Sequence, residues 1–174
     1  DVAALEAPES FATQLVSYEP GTNAGFGQDR LPSVVLGPPH GGGAGGGSLD
    51  VLSLGERGCI VLEFTEREVI DGEGADLLVF ENPFGQFFET GVVSVSEDGL
   101  TWATFACAAT DPEHKYPGCA GTHYVYASPG NGLDPTDPKV AGGDPYDLRD
   151  VGLTRSRFVR VCDSGANTYA GTSG

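Results

Sequence analysis

The chain has 174 residues, of which 27 are glycine and 12 proline. This length suits one domain with a sizeable core, and the many helix breakers favour short strands over long helices. The formal charge is −16, with 25 acidic and 9 basic residues, which argues against nucleic acid and anionic membrane surfaces as partners. No run approaches the roughly 20 apolar residues of a membrane-spanning helix. We therefore expect no nucleic acid partner and no membrane insertion.

The two ends differ in composition from the middle of the chain. It begins with Asp1 rather than Met, which we interpret as a mature form whose secretion signal has been removed. Residues 1–10 are predicted to be a leader or linker, and residues 164–174 a flexible tail rich in Ser, Gly and Thr. Residues 11–163 then form one domain, secreted or held at the cell surface.

The first half of this domain contains three predicted strands separated by loops. Residues 10–19 form the first strand, and residues 58–64 (GCIVLEF) alternate as a half-buried strand does. Between them, the glycine-rich residues 41–47 predict a flexible surface loop, because no phosphate-binding lysine follows them. Residues 77–80 (LLVF) are continuously apolar, which predicts a central strand buried on both faces.

The second half contains the clearest local signal. In residues 92–105 (VVSVSEDGLTWATF) valines alternate with serines, and an Asp-Gly dipeptide marks a tight turn. Trp102 begins the returning strand, and we expect it in the core. Residues 157–161 (RFVRV) predict a late strand. The long, Pro-, Gly- and Asp-rich stretch 107–148 contains a short edge strand at 122–126, and loops of that size usually carry function.

The S-x-D-G-x-x-W hairpin and the late R-F-V-R strand resemble those of discoidin-type, galactose-binding-like jelly rolls. Most of the chain also resembles bacterial secreted or cell-surface proteins of myxobacteria and planctomycetes. The phrases that carry this resemblance are residues 20–27, 31–39, 53–55, 60–64, 71–76, 79–84, 93–102 and 141–148. The resemblance implies secretion and a single all-β, jelly-roll-like β-sandwich with long loops. It implies no particular ligand residue.

The four cysteines contain no C-x-x-C pair, so disulfides are favoured over a zinc site or a redox motif. Three connectivities are possible. We favour Cys107–Cys119, which closes a polar loop, and Cys59–Cys162, because an early and a late strand can be neighbours in a jelly roll. The alternative is four free thiols in the core of a cytosolic protein.

Two acid-rich turns suggest a calcium site. Ca²⁺ takes six to eight oxygen ligands, and glycines let backbone carbonyls approach the ion. The turns are residues 71–76 (DGEGAD) and 142–150 (GGDPYDLRD). We select as Ca²⁺ ligands Asp71, Asp76, Glu81, Asp144 and Asp147. The alternative is that these acids are solvated turn residues and helix caps.

Aromatic residues supply the predicted contact surface for a ligand or partner. Three phenylalanines surround one turn, and exposed rings of this kind suit a glycan or a protein partner. The alternative is that they plug one end of the sandwich. The tyrosines of the long stretch, Tyr116, Tyr124, Tyr126 and Tyr146, could line a groove. The residues selected for ligand or partner binding are Phe84, Phe87, Phe88, Tyr116 and Tyr146.

No catalytic site is predicted. The chain has no G-x-S-x-G or H-E-x-x-H motif, and carboxylate pairs are too common in so acidic a chain to indicate glycoside hydrolysis. We predict a secreted, calcium-stabilised, non-enzymatic surface or matrix module that binds a glycan or another surface protein, including a second copy of itself. The alternative is a self-assembling subunit of an extracellular filament or layer. A polysaccharide hydrolase is the least favoured function.

Overall fold

The computed structural model describes residues 8–167. Within that range the chain forms the strands β1 (Gln14–Glu19), β2 (Cys59–Glu63), β3 (Val69–Ile70), β4 (Leu77–Val79), β5 (Gly91–Ser96), β6 (Ala103–Thr104), β7 (Asp144–Tyr146), β8 (Arg155–Ser156) and β9 (Phe158–Asp163). The helical elements are α1 (Gly43–Gly46) and the 3₁₀ turns Pro8–Ser10, Gln28–Arg30, Ser33–Val35, Pro112–His114 and Leu148–Val151. All strand pairs are antiparallel, which confirms the all-β prediction. No helix among these residues is long and apolar enough to cross a membrane.

The main sheet has five strands in the order β1-β2-β9-β5-β6. Ile60 of β2 pairs with Val161 of β9, and Val161 pairs with Val93 of β5. All three side chains are buried and lie on one face, because side chains alternate along a strand. The alternation predicted for these three strands therefore builds one wall of the core, here called the inner face.

Two small sheets, β3–β8 and β4–β7, complete the core. Leu77, Tyr146 and Leu148 belong to the same buried cluster as the valines of the inner face. We predicted a central strand at residues 77–80, which needs a strand on each side. This part of the prediction is wrong, because β4 pairs only with β7 in a two-stranded sheet. The partner strand β7 lies inside the segment that we predicted as an acid-rich turn.

Trp102 is half-buried and lies outside the buried core cluster. The guanidinium carbon of Arg160 lies 4.5 Å from the centroid of the Trp102 ring, in the geometry of a cation–π contact. Arg160 follows Val159 and precedes Val161, so it points away from the inner face. The expectation that Trp102 packs in the core is therefore wrong, because a neighbouring strand offers an arginine on the opposite face.

Both disulfides have the favoured pairing. Cys59–Cys162 joins β2 to β9, where the two residues are direct partners in the register. Cys107–Cys119 closes a loop between residues only 12 apart. Disulfides of this kind are typical of proteins that fold in an oxidising compartment, which fits the predicted extracellular location.

Three predicted segments differ from expectation: the glycine-rich loop and the start of the tail are more ordered, and the predicted edge strand is less regular. The glycine-rich segment holds α1 and donates backbone hydrogen bonds from Gly41 to Ala127 and from Gly43 to Val125. The predicted edge strand at 122–126 is reduced to a single bridge between Val125 and Gly142. Residues 164–167, predicted as tail, bond to Thr90. Residues 1–7 and 168–174 lie outside the described residues.

Candidate functional site

The five acids selected as calcium ligands fall into two groups, and the pairing of β4 with β7 explains the division. Leu77 pairs with Tyr146 and Val79 pairs with Asp144. Asp76 precedes β4 and Asp147 follows β7, so both lie at one end of this ribbon. Glu81 and Asp144 lie at the other end. The structure therefore brings three of the five acids together and places two elsewhere.

The first group is the acidic triad, Asp71, Asp76 and Asp147. One carboxylate oxygen from each residue lies within 4.8 Å of the others, and all three residues are half-buried. The two oxygens of Asp76 accept backbone hydrogen bonds from Gly72 (2.7 Å) and Leu148 (2.8 Å). These bonds hold the Asp76 carboxylate in place between the two turns.

The acidic triad offers the hard oxygen donors that Ca²⁺ prefers, and a carboxylate oxygen that accepts one N–H bond keeps a further lone pair. Arg149 competes for the same position: its guanidinium lies 3.5 Å from Asp71 and donates to the Gly72 carbonyl at 2.9 Å. The Arg149 side chain is 66% exposed, so it can leave at little cost. The residues present therefore fit a divalent cation that displaces Arg149.

Asp144, of the second group, is buried and fully partnered. It accepts hydrogen bonds from the backbone N–H of Gly121, Thr122 and His123, from the Thr122 hydroxyl, and from the His123 ring at 2.8 Å. The hydrogen bond to Asp144 raises the pKa of His123. Asp144 fastens the loop 121–123 to β7, and its acceptor positions are taken by protein donors.

Glu81, the other member, lies in a different environment. Burial, reinforced by the negative charges of Asp144, Asp163 and Glu89, raises the pKa of Glu81 to about 8. A carboxyl that is protonated near neutral pH is a poor ligand for Ca²⁺, which needs the ionised form. Glu81 and Asp144 are therefore left out of the candidate metal site.

A second candidate site, the aromatic surface, consists of Phe84, Phe87, Phe88, Tyr124 and Tyr126. The ring centroids of Phe84 and Phe87 lie 5.3 Å apart, those of Phe88 and Tyr124 6.0 Å, and those of Tyr124 and Tyr126 6.5 Å. Phe87 and Tyr126 are 44% and 47% exposed. The rings form two groups, Phe84 with Phe87 and Phe88 with Tyr124 and Tyr126, and the hydrogen bond from the Tyr124 hydroxyl to the Gly85 carbonyl joins them into one partly exposed strip.

Backbone contacts hold this strip in position. Phe84 and Phe87 exchange backbone hydrogen bonds across a tight turn. Gly85 in that turn donates to the Ala44 carbonyl of the glycine-rich segment at 2.8 Å and accepts from the Tyr124 hydroxyl at 2.6 Å. Because these groups are already ordered, a ligand that binds the rings meets a preorganised surface.

One of the glycines that this segment requires, Gly47, lies against the aromatic surface. A Cβ at Gly47 would lie 2.7 Å from the Phe84 ring, and the residue has a φ of +61°. A Cβ at Gly45 would meet no atom within 4 Å. Gly47 therefore lets the backbone approach Phe84 closely, and Gly45 provides a natural control.

Only three of the five residues selected for ligand binding belong to the aromatic surface. Tyr146 is 5% exposed and packs on Phe105 at 4.7 Å between centroids, so it is a core residue and is removed from the ligand-binding set. Tyr116 lies in the loop closed by Cys107–Cys119, and among residues 8–167 no ring contact joins it to the strip. Tyr124 and Tyr126 take their place, and their spacing around buried Val125 is the signal that identifies them.

The acidic triad and the aromatic surface lie at opposite ends of the core. The register of β5 and β9 pairs Gly91 with Asp163 at one end and Ser96 with Phe158 at the other. Phe88 lies three residues before Gly91, at the first of these ends. Asp71 donates a backbone hydrogen bond to Thr154, just before β8, and Ser156 of β8 donates to the Ser96 carbonyl at the second end. A cation at the triad would thus stabilise the fold without touching a ligand on the aromatic surface.

Comparison with known proteins adds no family to this description. No family model matches the chain. No curated protein matches it significantly. The functional conclusions below therefore rest on the geometry of the acidic triad and the aromatic surface.

Proposed function

We propose that this protein is a secreted, non-enzymatic module with a galactose-binding-like fold that binds a neutral glycan through the aromatic surface and is stabilised by Ca²⁺ at the acidic triad. The observation that carries the proposal is the strip of five rings in two neighbouring groups, two of the rings being more than two-fifths exposed, held by hydrogen bonds to the backbone. Aromatic rings stack on the apolar faces of pyranose sugars.

The charge of the chain selects among glycans. A formal charge of −16 repels sulfated and uronic acid sugars at long range, especially at low ionic strength. Neutral sugars meet no such barrier. A protein ligand remains the alternative occupant of the same rings, and a binding assay against immobilised glycans distinguishes the two.

Replacing Phe87 or Tyr126 by alanine is expected to weaken glycan binding by about tenfold or more, because each exposed ring supplies roughly 1–2 kcal/mol of contact. A neutral-glycan array identifies the ligand, and isothermal titration calorimetry then measures the loss. Leu100→Ala is the matched control, since Leu100 is 85% exposed in the turn between β5 and β6, at the opposite end of the core from the rings.

Gly47→Ala should weaken glycan binding, whereas Gly45→Ala should leave it unchanged. If Phe87→Ala and Tyr126→Ala bind the glycan as tightly as the parent, the aromatic surface is not the site.

Millimolar Ca²⁺ is expected to raise the melting temperature by about 5 °C or more, because a ligand at 100 times its Kd stabilises by about 2.7 kcal/mol. EDTA should reverse the rise. Asp76→Asn and Asp147→Asn should abolish the response, whereas Asp29→Asn, an exposed acid outside the triad, should keep it. Differential scanning calorimetry with and without Ca²⁺ measures the shift. An unchanged melting temperature in the parent protein would contradict the metal proposal and leave the glycan proposal standing.

A further inference from the structure

The core contains a cavity of about 1100 Å³ next to the inner face of the main sheet. Four strands contribute to its walls: Ile60 and Leu62 of β2, Val69 and Ile70 of β3, Leu77 and Val79 of β4, and Val159 and Val161 of β9. Ligand pockets in proteins typically measure roughly 300–1,000 Å³. The cavity is therefore large enough for a ligand with a long apolar chain.

The topology explains why a cavity forms here. Val93 and Val95 of β5 are fully buried and share the core cluster with Leu77, Val79 and Tyr146 of the β4–β7 ribbon. Residues 33–54, which contain only a 3₁₀ turn and α1, line the cavity beside β2. Leu62 and Phe64 occupy inward positions in register with buried Ile60, yet they are only half-buried. Their remaining exposure faces the cavity, which they line.

Exposed apolar residues line part of the cavity. Phe26, Leu49 and Ile70 all line it and are 44%, 80% and 54% exposed. Exposed apolar residues beside a cavity are a feature of ligand-binding sites rather than of a simple packing void. Charged residues, among them Arg30, Asp50 and Glu68, line the cavity beside these apolar side chains.

One wall carries a carboxyl group that has no hydrogen-bond or ion-pair partner among the described residues. Glu81 lines the cavity, and none of the hydrogen bonds and ion pairs found among residues 8–167 involves its side chain. Its neighbours are the carboxylates of Asp144, Asp163 and Glu89, so the local charge is negative. With its pKa raised to about 8, the Glu81 carboxyl is largely protonated at neutral pH. A cation bound beside it would favour the ionised form, because a nearby opposite charge lowers the pKa of a carboxyl.

We infer that the cavity binds an elongated apolar molecule that carries one positively charged amine, with the apolar chain along β2, β4 and β9 and the amine paired with Glu81. The apolar walls select the chain, and the unpartnered carboxyl selects the cation. A fatty acid of the same length would bring a second negative charge to the group of acids around Glu81, which disfavours it. A neutral alcohol would gain the apolar contacts without the ion pair.

Titration calorimetry of the whole protein with decylamine, decanol and decanoic acid tests this inference. Salt at about 0.15 M screens the acidic surface, and butylamine reports any remaining non-specific attraction. Decylamine should saturate one site with a Kd roughly tenfold below that of decanol, since a charge-assisted hydrogen bond contributes about 1.5 kcal/mol or more. Decanoic acid should bind more weakly than decanol.

Two kinds of variant complete the test. Glu81→Gln should remove the preference for decylamine while decanol binding is kept. Leu62→Trp should fill the cavity and abolish binding of decylamine and decanol. If circular dichroism shows that this variant does not fold, Val35→Trp, at another residue that lines the cavity, replaces it. The inference is overturned if decylamine shows no saturable binding, if Glu81→Gln retains the preference, or if a folded, cavity-filled variant binds as the parent does.

Discussion

Replacement of Cys59 and Cys162 by alanine is expected to lower the free energy of unfolding by about 4–5 kcal/mol, because the bridge restricts a loop of roughly 100 residues in the unfolded chain. The two cysteines are 103 residues apart. A loss of this size lowers the melting temperature of a domain of this length by roughly 10–20 °C. Urea unfolding without reductant, followed by tryptophan fluorescence, measures the difference.

The second disulfide provides the matched control. Cys107 and Cys119 are only 12 residues apart, so the same model gives about 3 kcal/mol for Cys107→Ala with Cys119→Ala. Loss of the first bridge is therefore expected to cost about 2 kcal/mol more than loss of the second. An equal or inverted order of the two losses would show that native packing around the bridges, rather than loop closure, dominates their contribution.

Raising the pH from about 5 to about 9 is expected to destabilise the protein by roughly 3–5 kcal/mol through Glu81, at about 1.4 kcal/mol for each unit of pKa difference. Burial raises the pKa of Glu81 from 4.5 to about 8, so the folded state binds a proton that the unfolded state has lost. The stabilisation is therefore complete below about pH 4.5 and disappears as the pH rises through about 8. Glu81→Gln should remove this dependence and be more stable than the parent at pH 9.

Other groups titrate in the same experiment and are separated by design. His123, whose pKa is raised by Asp144, also contributes stability that is lost as the pH rises, so His123→Gln is measured alongside.

Asp98 accepts hydrogen bonds from the backbone of Thr101 and Leu100, which lower the pKa of Asp98. The stability that Asp98 contributes is therefore lost only in acid. Glu66→Gln, an exposed acid, controls for the change in net charge. Identical stability profiles for Glu81→Gln and Glu66→Gln between pH 6 and 9 would contradict the prediction.

Local patterns were sufficient where neighbouring residues decide the structure. The alternation of valine and serine in β5, the Asp-Gly turn and the late apolar strand each depend on periodicity or on a turn preference, and all three are present in the structure. The bridge between Cys59 and Cys162 followed from a single further assumption, that an early and a late strand are neighbours.

Long-range pairing was the point at which sequence patterns failed. The aspartate and proline at the start of β7 favour a turn over a strand, so the pairing of β7 with β4 was not predicted. The paired residues Val79 and Asp144 are 65 positions apart in the chain. That pairing separates Asp76 and Asp147 from Glu81 and Asp144. It also buries Tyr146 in the core and leaves Tyr124 and Tyr126 to join the phenylalanines.

By itself, the sequence determined the class of fold, the strongly acidic surface, the disulfide cysteines and the types of residue available for a site, because composition and short periodicities encode these properties. Only the tertiary structure decided which acids form the triad, which rings form the aromatic surface, and that Glu81 lies in the wall of a cavity. Each of these depends on contacts between segments far apart in the chain, and such contacts are set by the packing of the whole core rather than by any local pattern.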